Sequence, residues 1–179
     1  MIYFGSRNNT FRDNTAISNR NNGIIEWSQT GAPSTWCRDN TFINNTVKDN
    51  LDGIWLYCAS NNTLINNTVE NNDHGIAIDT LSNNNVVTGN TVINNDIGIY
   101  INSSSDNLIS NNKIQNNSGY GIYILFGNKN KIFCNEIKYN GNYGIKIYNG
   151  SGNCIWWNNF IENNLNHPEH TSQAWDNTT

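Results

Sequence analysis

Apolar and polar residues alternate along this chain in short runs that hold one register from end to end. Seven asparagines act as repeat centres: Asn14, Asn45, Asn67, Asn90, Asn112, Asn135 and Asn158. Three positions before them stand Phe11, Phe42, Leu64, Val87, Ile109, Ile132 and Ile155. Two positions after them stand Ala16, Val47, Val69, Val92, Ile114, Ile137 and Phe160. Eight or nine positions after comes a Gly-Ile pair, as in Gly53-Ile54, Gly75-Ile76, Gly98-Ile99 and Gly121-Ile122, with Leu56, Ile78, Ile101 or Ile124 two residues on. Period-two alternation over so few residues predicts strands, not helices. Each repeat therefore holds three strands: A before the central asparagine, B after it and C at Gly-Ile.

The polar positions repeat as strictly. Five residues before each centre lies another asparagine (Asn9, Asn40, Asn62, Asn85, Asn107, Asn130, Asn153), and five after lies a third (Asn19, Asn50, Asn72, Asn95, Asn117, Asn140, Asn163). The centres are 22 or 23 residues apart, with 31 between the first two. A period in the twenties marks a solenoid. The pattern predicts an all-β, right-handed parallel β-helix of about seven coils of 22–23 residues. Stacked coils lie about 4.8 Å apart, so like residues form columns: apolar ones inward, asparagines as hydrogen-bonded ladders at the corners. The glycine before each isoleucine is expected to turn a corner with unusual φ and ψ.

Composition narrows the classes. Charged residues are 13% and the net charge is −4, without a basic stripe, which excludes duplex nucleic acid as a natural partner. No apolar run reaches membrane-spanning length. With 41 asparagines the chain is polar enough for a disordered segment, but the strict apolar columns argue against that. Residues 1–164 form the solenoid, and Ile2-Tyr3-Phe4 match a strand C, so the chain is expected to open inside an earlier coil of a longer protein. Residues 28–38 are an insertion loop at the C-to-A corner. The period breaks after Asn164, and residues 165–179 read as a C-terminal cap or linker.

Candidate chemistry gathers on the outer face of strand C. One outward column reads Tyr3, Ile25, Trp55, Ala77, Tyr100, Tyr123 and Lys146, and the next reads Trp27, Tyr57, Asp79, Asn102, Leu125 and Tyr148. Trp55, Tyr57, Tyr100 and Tyr123 offer flat platforms on which sugars stack, and Asp79 and Asn102 can bind hydroxyls. The plainer reading of the same residues is a packing surface for a partner domain. Asp52, Asp73, His74 and Asp96 fall near the B-to-C corner of three coils. They suit either a hard cation such as calcium or solvated corner residues. His167 and His170, with Glu169, have a spacing compatible with a metal, or form a polar loop. Glu26 takes an inward place, where the pattern wants an apolar residue. Cys37 and Cys58 stand at nearly equivalent corners of adjacent coils, which predicts a disulfide and an oxidising compartment. Cys134 and Cys154 are out of register and expected to be free. Of the many Asn-X-Ser/Thr sequons, Asn102 and Asn149 after strand C are the better-exposed acceptors.

The repeated Asn-Asn-Thr-hydrophobic, Asn-x-hydrophobic and Gly-Ile-x-hydrophobic units resemble the right-handed parallel β-helix repeats of NosD-like proteins, also described as carbohydrate-binding and sugar-hydrolase β-helix domains. The tail from Asn158-Asn159-Phe160-Ile161 to Gln173-Ala174-Trp175-Asp176-Asn177 looks like the end of such a domain in archaeal surface proteins. The resemblance implies an extracellular, cell-surface or periplasmic domain; no cofactor is expected, with calcium or copper as the alternatives. It implies a structural or glycan-binding role, with a polysaccharide lyase, epimerase or hydrolase-like enzyme, or a copper accessory protein, as alternatives. The Asp-Pro-His-Asp motif of alginate epimerases is absent. Partners are then a polysaccharide or surface glycan and the adjoining parts of a longer chain.

Overall fold

The computed structural model describes residues 2, 3, 5–31, 36–166 and 173–177. Strands A of successive repeats pair in parallel from Thr10–Arg12 to Cys154–Trp156, and strands B from Thr15–Ile17 to Asn159–Ile161. Each makes a seven-stranded sheet. Strands C make an eight-stranded sheet from Ile2–Tyr3 to Ala174–Asn177. The result is an all-β, right-handed parallel β-solenoid with three faces. Register follows the sequence columns without slippage: Leu64 lies between Phe42 and Val87, Val69 between Val47 and Val92, and Ile76 between Ile54 and Ile99.

The turns are not all equivalent. In five consecutive coils the inward residues of strands A and B are fully buried: Phe42 and Val47, Leu64 and Val69, Val87 and Val92, Ile109 and Ile114, Ile132 and Ile137. The sequence repeat predicts seven alike, yet at the ends Phe11, Ala16 and Phe160 are only partly covered and Ile155 is 37% exposed. A solenoid coil buries its apolar side only between two neighbours, so about five turns are closed.

The ladder is a directed relay. The Asn67 backbone N–H and Nδ2 both donate to Asn90 Oδ1, at 2.8 and 2.9 Å. The Asn90 N–H and Nδ2 in turn donate to Asn112 Oδ1, at 2.9 and 3.0 Å. Nδ2 of Asn90 also reaches back to the Leu64 carbonyl at 3.0 Å. Each interior carboxamide therefore bonds the coil before and the coil after, while 0–7% exposed. The corner is turned by the residue just before the ladder asparagine, with φ near +55° at Asn44, Asn66, Asn111, Cys134 and Trp157. Asparagine visits this left-handed region more readily than most residues.

The glycines before isoleucine serve a different purpose from the one expected. Gly98 is not among the positive-φ residues. A Cβ there would lie 2.5 Å from the Gly121 carbonyl oxygen and 2.8 Å from Ile114 Cγ2. Close approach between coils, not backbone conformation, excludes a side chain.

The predicted Cys37–Cys58 bridge is not formed; all four cysteines are free. Cys37 pairs with Ala59, and Arg38 with Ser60, the same 22-residue offset that sets Phe42 beside Leu64, so Cys58 stands one position before the place opposite Cys37. The insertion is pinched at its base, where the Cys37 N–H donates to Ser28 Oγ at 2.8 Å. At the C-terminal end, Gln173 Oε1 accepts from both the N–H and Nδ2 of Asn163, at 3.0 Å each. It takes the place of the next ladder asparagine.

Glu26 is inward and fully buried, stacked on Leu56. Its Oε1 accepts from Asn40 Nδ2 at 2.7 Å, and its Oε2 has no partner. Burial raises its pKa to about 8, against the Asn40 hydrogen bond, which lowers it.

Two outcomes follow. Asn90→Leu or Asn112→Leu leaves buried donors and acceptors on both flanking coils unpaired and should cost roughly 3 kcal/mol or more. Thr91→Ala or Gln115→Ala, on the outer side, should stay within about 0.5 kcal/mol. Denaturant melts compare the classes, and equal losses would remove the ladder's role. Glu26 favours the folded state fully below pH 4.5, the ordinary carboxyl value. That contribution is lost as pH rises towards the folded value of about 8. Glu26→Gln should therefore raise stability at pH 8 by a few kcal/mol and flatten the slope between pH 5 and 8. An unchanged slope in chemical melts contradicts this.

Candidate functional site

Stacking turns sequence columns into rows of side chains on the outer face of sheet C. Trp55, Ala77, Tyr100, Tyr123, Lys146 and Trp175 succeed one another by one coil each. Beside them run Trp27, Tyr57, Asp79, Asn102, Leu125 and Tyr148. Of the predicted binding residues, Trp55, Tyr57, Asp79, Tyr100, Asn102 and Tyr123 are all half-buried on this face.

The platform is not continuous. Ala77 is small and 2% exposed, and it divides the rings into two groups. Below it, Tyr57 stacks on Trp27 at 6.3 Å and meets the edge of Trp55 at 5.3 Å. Above it, Tyr100 lies 5.7 Å from Tyr123, which lies 5.2 Å from Tyr120. Between the groups Asp79 Oδ1 accepts from Asn102 Nδ2 and Thr80 Oγ1, at 3.0 Å each. That leaves its second oxygen as an acceptor at the surface. Burial first, then the Asp79 and Tyr123 charges, pushes the Tyr100 phenol pKa up. The phenol therefore stays a proton donor.

His74, proposed above as a metal ligand, belongs instead to the upper aromatic group. Its ring stacks on Tyr100 at 5.0 Å and its Nδ1 lies 2.7 Å from Asp52 Oδ1. The Asp52 hydrogen bond raises its pKa above the ordinary 6.5, against burial. Asp96 accepts from Ser118 Oγ at 2.9 Å, and Asp73 and Asp96 are exposed one residue before the strand-C positions of Asp52 and His74. The charges of Asp52, Asp73 and Asp96 all help to raise the His74 pKa. Among the described residues no group of three or more His, Cys, Asp and Glu side chains stands close enough to hold a metal ion. His167, Glu169 and His170 lie outside the described residues. An open depression of 340 Å³ lies elsewhere, lined by Asn111, Asn112, Lys113, Cys134 and Glu136. It brings the exposed thiol of Cys134 beside Lys113 and Glu136.

Sequence alone places Lys146 in the outward column without a role, and misses Tyr120 and Trp175, which join it there. Lys146 Nζ sits over the rings of Tyr120, Tyr123 and Trp175, 4.8, 5.3 and 5.3 Å from their centroids, and bonds the Tyr120 hydroxyl at 3.0 Å. Tyr120 stands before the strand, and Trp175 in the tail. The signal available was the alternation of Ala174-Trp175-Asp176-Asn177, which continues the outward column.

The shape of this solenoid recurs in solved structures. A mutant form of the periplasmic alginate epimerase AlgG aligns with a TM-score of 0.74 at 19% identity, over 88% of this chain and 41% of that one. The A-module of the mannuronan C-5 epimerase AlgE4 of Azotobacter vinelandii aligns with a TM-score of 0.66 at 15% identity, over 95% and 55%. The enzymatically active domain of bacteriophage CBA120 tailspike protein 2 aligns at 0.52 and 14%, over 90% and 35%. The chain thus spans about two fifths to half of the epimerases, and identities this low carry the fold alone. A search of curated proteins by sequence gives no match.

A family model described as periplasmic copper-binding protein (NosD) matches residues 25–179. Copper takes imidazole, thiolate and thioether ligands. The described residues offer one histidine, His74, engaged with Asp52, and four free thiols, and bring no three or more His, Cys, Asp or Glu side chains together. They do not fit a copper centre. The family match runs from strand C of the first coil onward, most of the chain, and on it this chain belongs to the NosD family.

Proposed function

We propose that this chain is a non-catalytic periplasmic or envelope β-helix domain that binds an extended glycan along the outer face of sheet C. The observation that carries the reading is the upper aromatic group. Tyr100 and Tyr123 are one coil apart, half-buried and held on a rigid sheet, with Asp79 and Asn102 beside them. Pyranose rings repeat on roughly the scale of the coil spacing of about 4.8 Å, so a saccharide running along the solenoid axis meets an equivalent position at each coil. Apolar ring faces gain roughly 25 cal/mol per Å² on burial, and the polar pair supplies orientation. Trp55 and Tyr57 form a second contact below Ala77. The structural neighbours named for polysaccharide epimerases, and the periplasmic description of the family, are in keeping with a glycan partner and an envelope location.

The rival is a polysaccharide lyase or epimerase. His74 and Tyr100 could exchange protons with a bound sugar, and they are the residues that such a reading would use. Its test is the absorbance of unsaturated uronate products for a lyase, and proton NMR of the treated polymer for an epimerase, which leaves no double bond.

For the binding reading, Tyr100→Ala and Trp55→Ala should each weaken any glycan found on an array by about tenfold, with melting temperature unchanged. A ligand that ignores both changes would place the site elsewhere and leave the rings as packing surface.

A further inference from the structure

The Lys146 ammonium is the feature of this face that stacking on aromatic rings leaves unexplained. A lysine on a strand surface ordinarily extends into water or pairs with a carboxylate. Lys146 does neither. Three rings and one phenol hydroxyl hold it in the outward column, directly above Tyr123. Among the described residues it makes no ion pair: the four that exist join Arg38, Lys48, His74 and Lys138 to acids elsewhere. An ammonium has three donors, and Tyr120 takes one. A partly desolvated cation with unused donors attracts an anion more strongly than one in open water.

We infer that Lys146 anchors an anionic substituent of the bound glycan, and that the ligand class is a uronate-containing polysaccharide. This rests on the glycan-binding reading and narrows it. The order along the column is Tyr100, Tyr123, Lys146, Trp175, one coil each. A sugar stacked on Tyr123 therefore presents its exocyclic group, or its neighbour's, to the ammonium. Nζ then donates to a carboxylate in a charge-assisted hydrogen bond. The other end of the face has the opposite character. Asp79 is three coils below Lys146 and offers an acceptor to sugar hydroxyls, while His74 is already neutralised by Asp52. The charged group of the ligand is thus drawn to the Lys146 end and kept from the Asp79 end, which fixes the direction in which the chain lies. The aromatic face alone would bind neutral glycans with little dependence on salt; Lys146 adds a preference for acid and a dependence on ionic strength.

The test uses the full chain and calorimetric titration with hexagalacturonate, with cellohexaose of matched length, and with inorganic polyphosphate. Hexagalacturonate should bind about tenfold more tightly than cellohexaose at low ionic strength, and the gap should narrow as salt is added. Lys146→Met keeps the stem that packs among the rings and should bring the two sugars to equal affinity. Lys146→Arg should keep the preference. Thermal melts of both variants separate a binding loss from unfolding. Equal affinity of the wild-type protein for the two sugars, or an undiminished preference in Lys146→Met, overturns the inference while leaving glycan binding intact. Polyphosphate binding as tight as hexagalacturonate also overturns it, because charge alone would then suffice. Binding of neither sugar overturns the glycan reading and this inference together.

Discussion

The asparagine ladder is the interaction on which the rest of this molecule depends. A thin apolar column supplies the burial, and its alternation resists a slip of one residue, but burial is nearly indifferent to a slip of two, which keeps the same faces inward. The carboxamides are not. Each interior Oδ1 accepts two protons from the coil before, and each Nδ2 and its backbone N–H donate to the coil after, as in Asn67, Asn90 and Asn112. A slipped coil leaves these groups buried and unpaired, at roughly 1–3 kcal/mol each. Because three ladders run in parallel, the penalty multiplies along each corner. Register at the corners then dictates register on the faces, and it is this that lines up Tyr100, Tyr123 and Lys146. Where the ladder is disturbed the fold shows it: Asn40 spends its Nδ2 on the buried Glu26 instead of on Asn62.

Much of this was legible because the ladder is written in sequence. Spacing of five on either side of each central asparagine gives three corners, and the alternation between corners gives three strands. What spacing could not convey is the reason for a residue. Gly98 looks like a turn glycine, yet it is needed because Ile114 and the Gly121 carbonyl come too close for a Cβ. The left-handed corner positions are filled by Asn44, Asn66, Cys134 and Trp157, residues too varied to announce a shared backbone state. The cysteine pairing failed by one residue, because the coil register sets Cys37 against Ala59 and Cys58 is one position out of it.

The site was legible only as columns. Sequence places Trp55, Tyr57, Tyr100 and Tyr123 on one face, and the structure keeps them there. Which rings touch is a matter of side-chain direction, and that divides them around Ala77. His74 changes role for the same reason: its neighbour across the coil is Asp52, but its ring partner is Tyr100. Lys146 needs Tyr120 from before the strand and Trp175 from the tail to become a caged cation. The solenoid shared with epimerases and a tailspike domain fixes none of these choices. The outward side chains distinguish this chain, and they can vary because the ladder holds the coils without them.

Side-chain amide hydrogen exchange, read by NMR, tests that division of labour most directly. The carboxamide protons of Asn67, Asn90 and Asn112 are bonded within and between coils and buried, so they should exchange only when coils separate. Those of Asn9, exposed in the first coil, should exchange quickly. Protection that rises from the terminal coils to the middle of the ladder is the predicted result. Uniformly rapid exchange in Asn67, Asn90 and Asn112 would show that the ladder does not hold the coils in register.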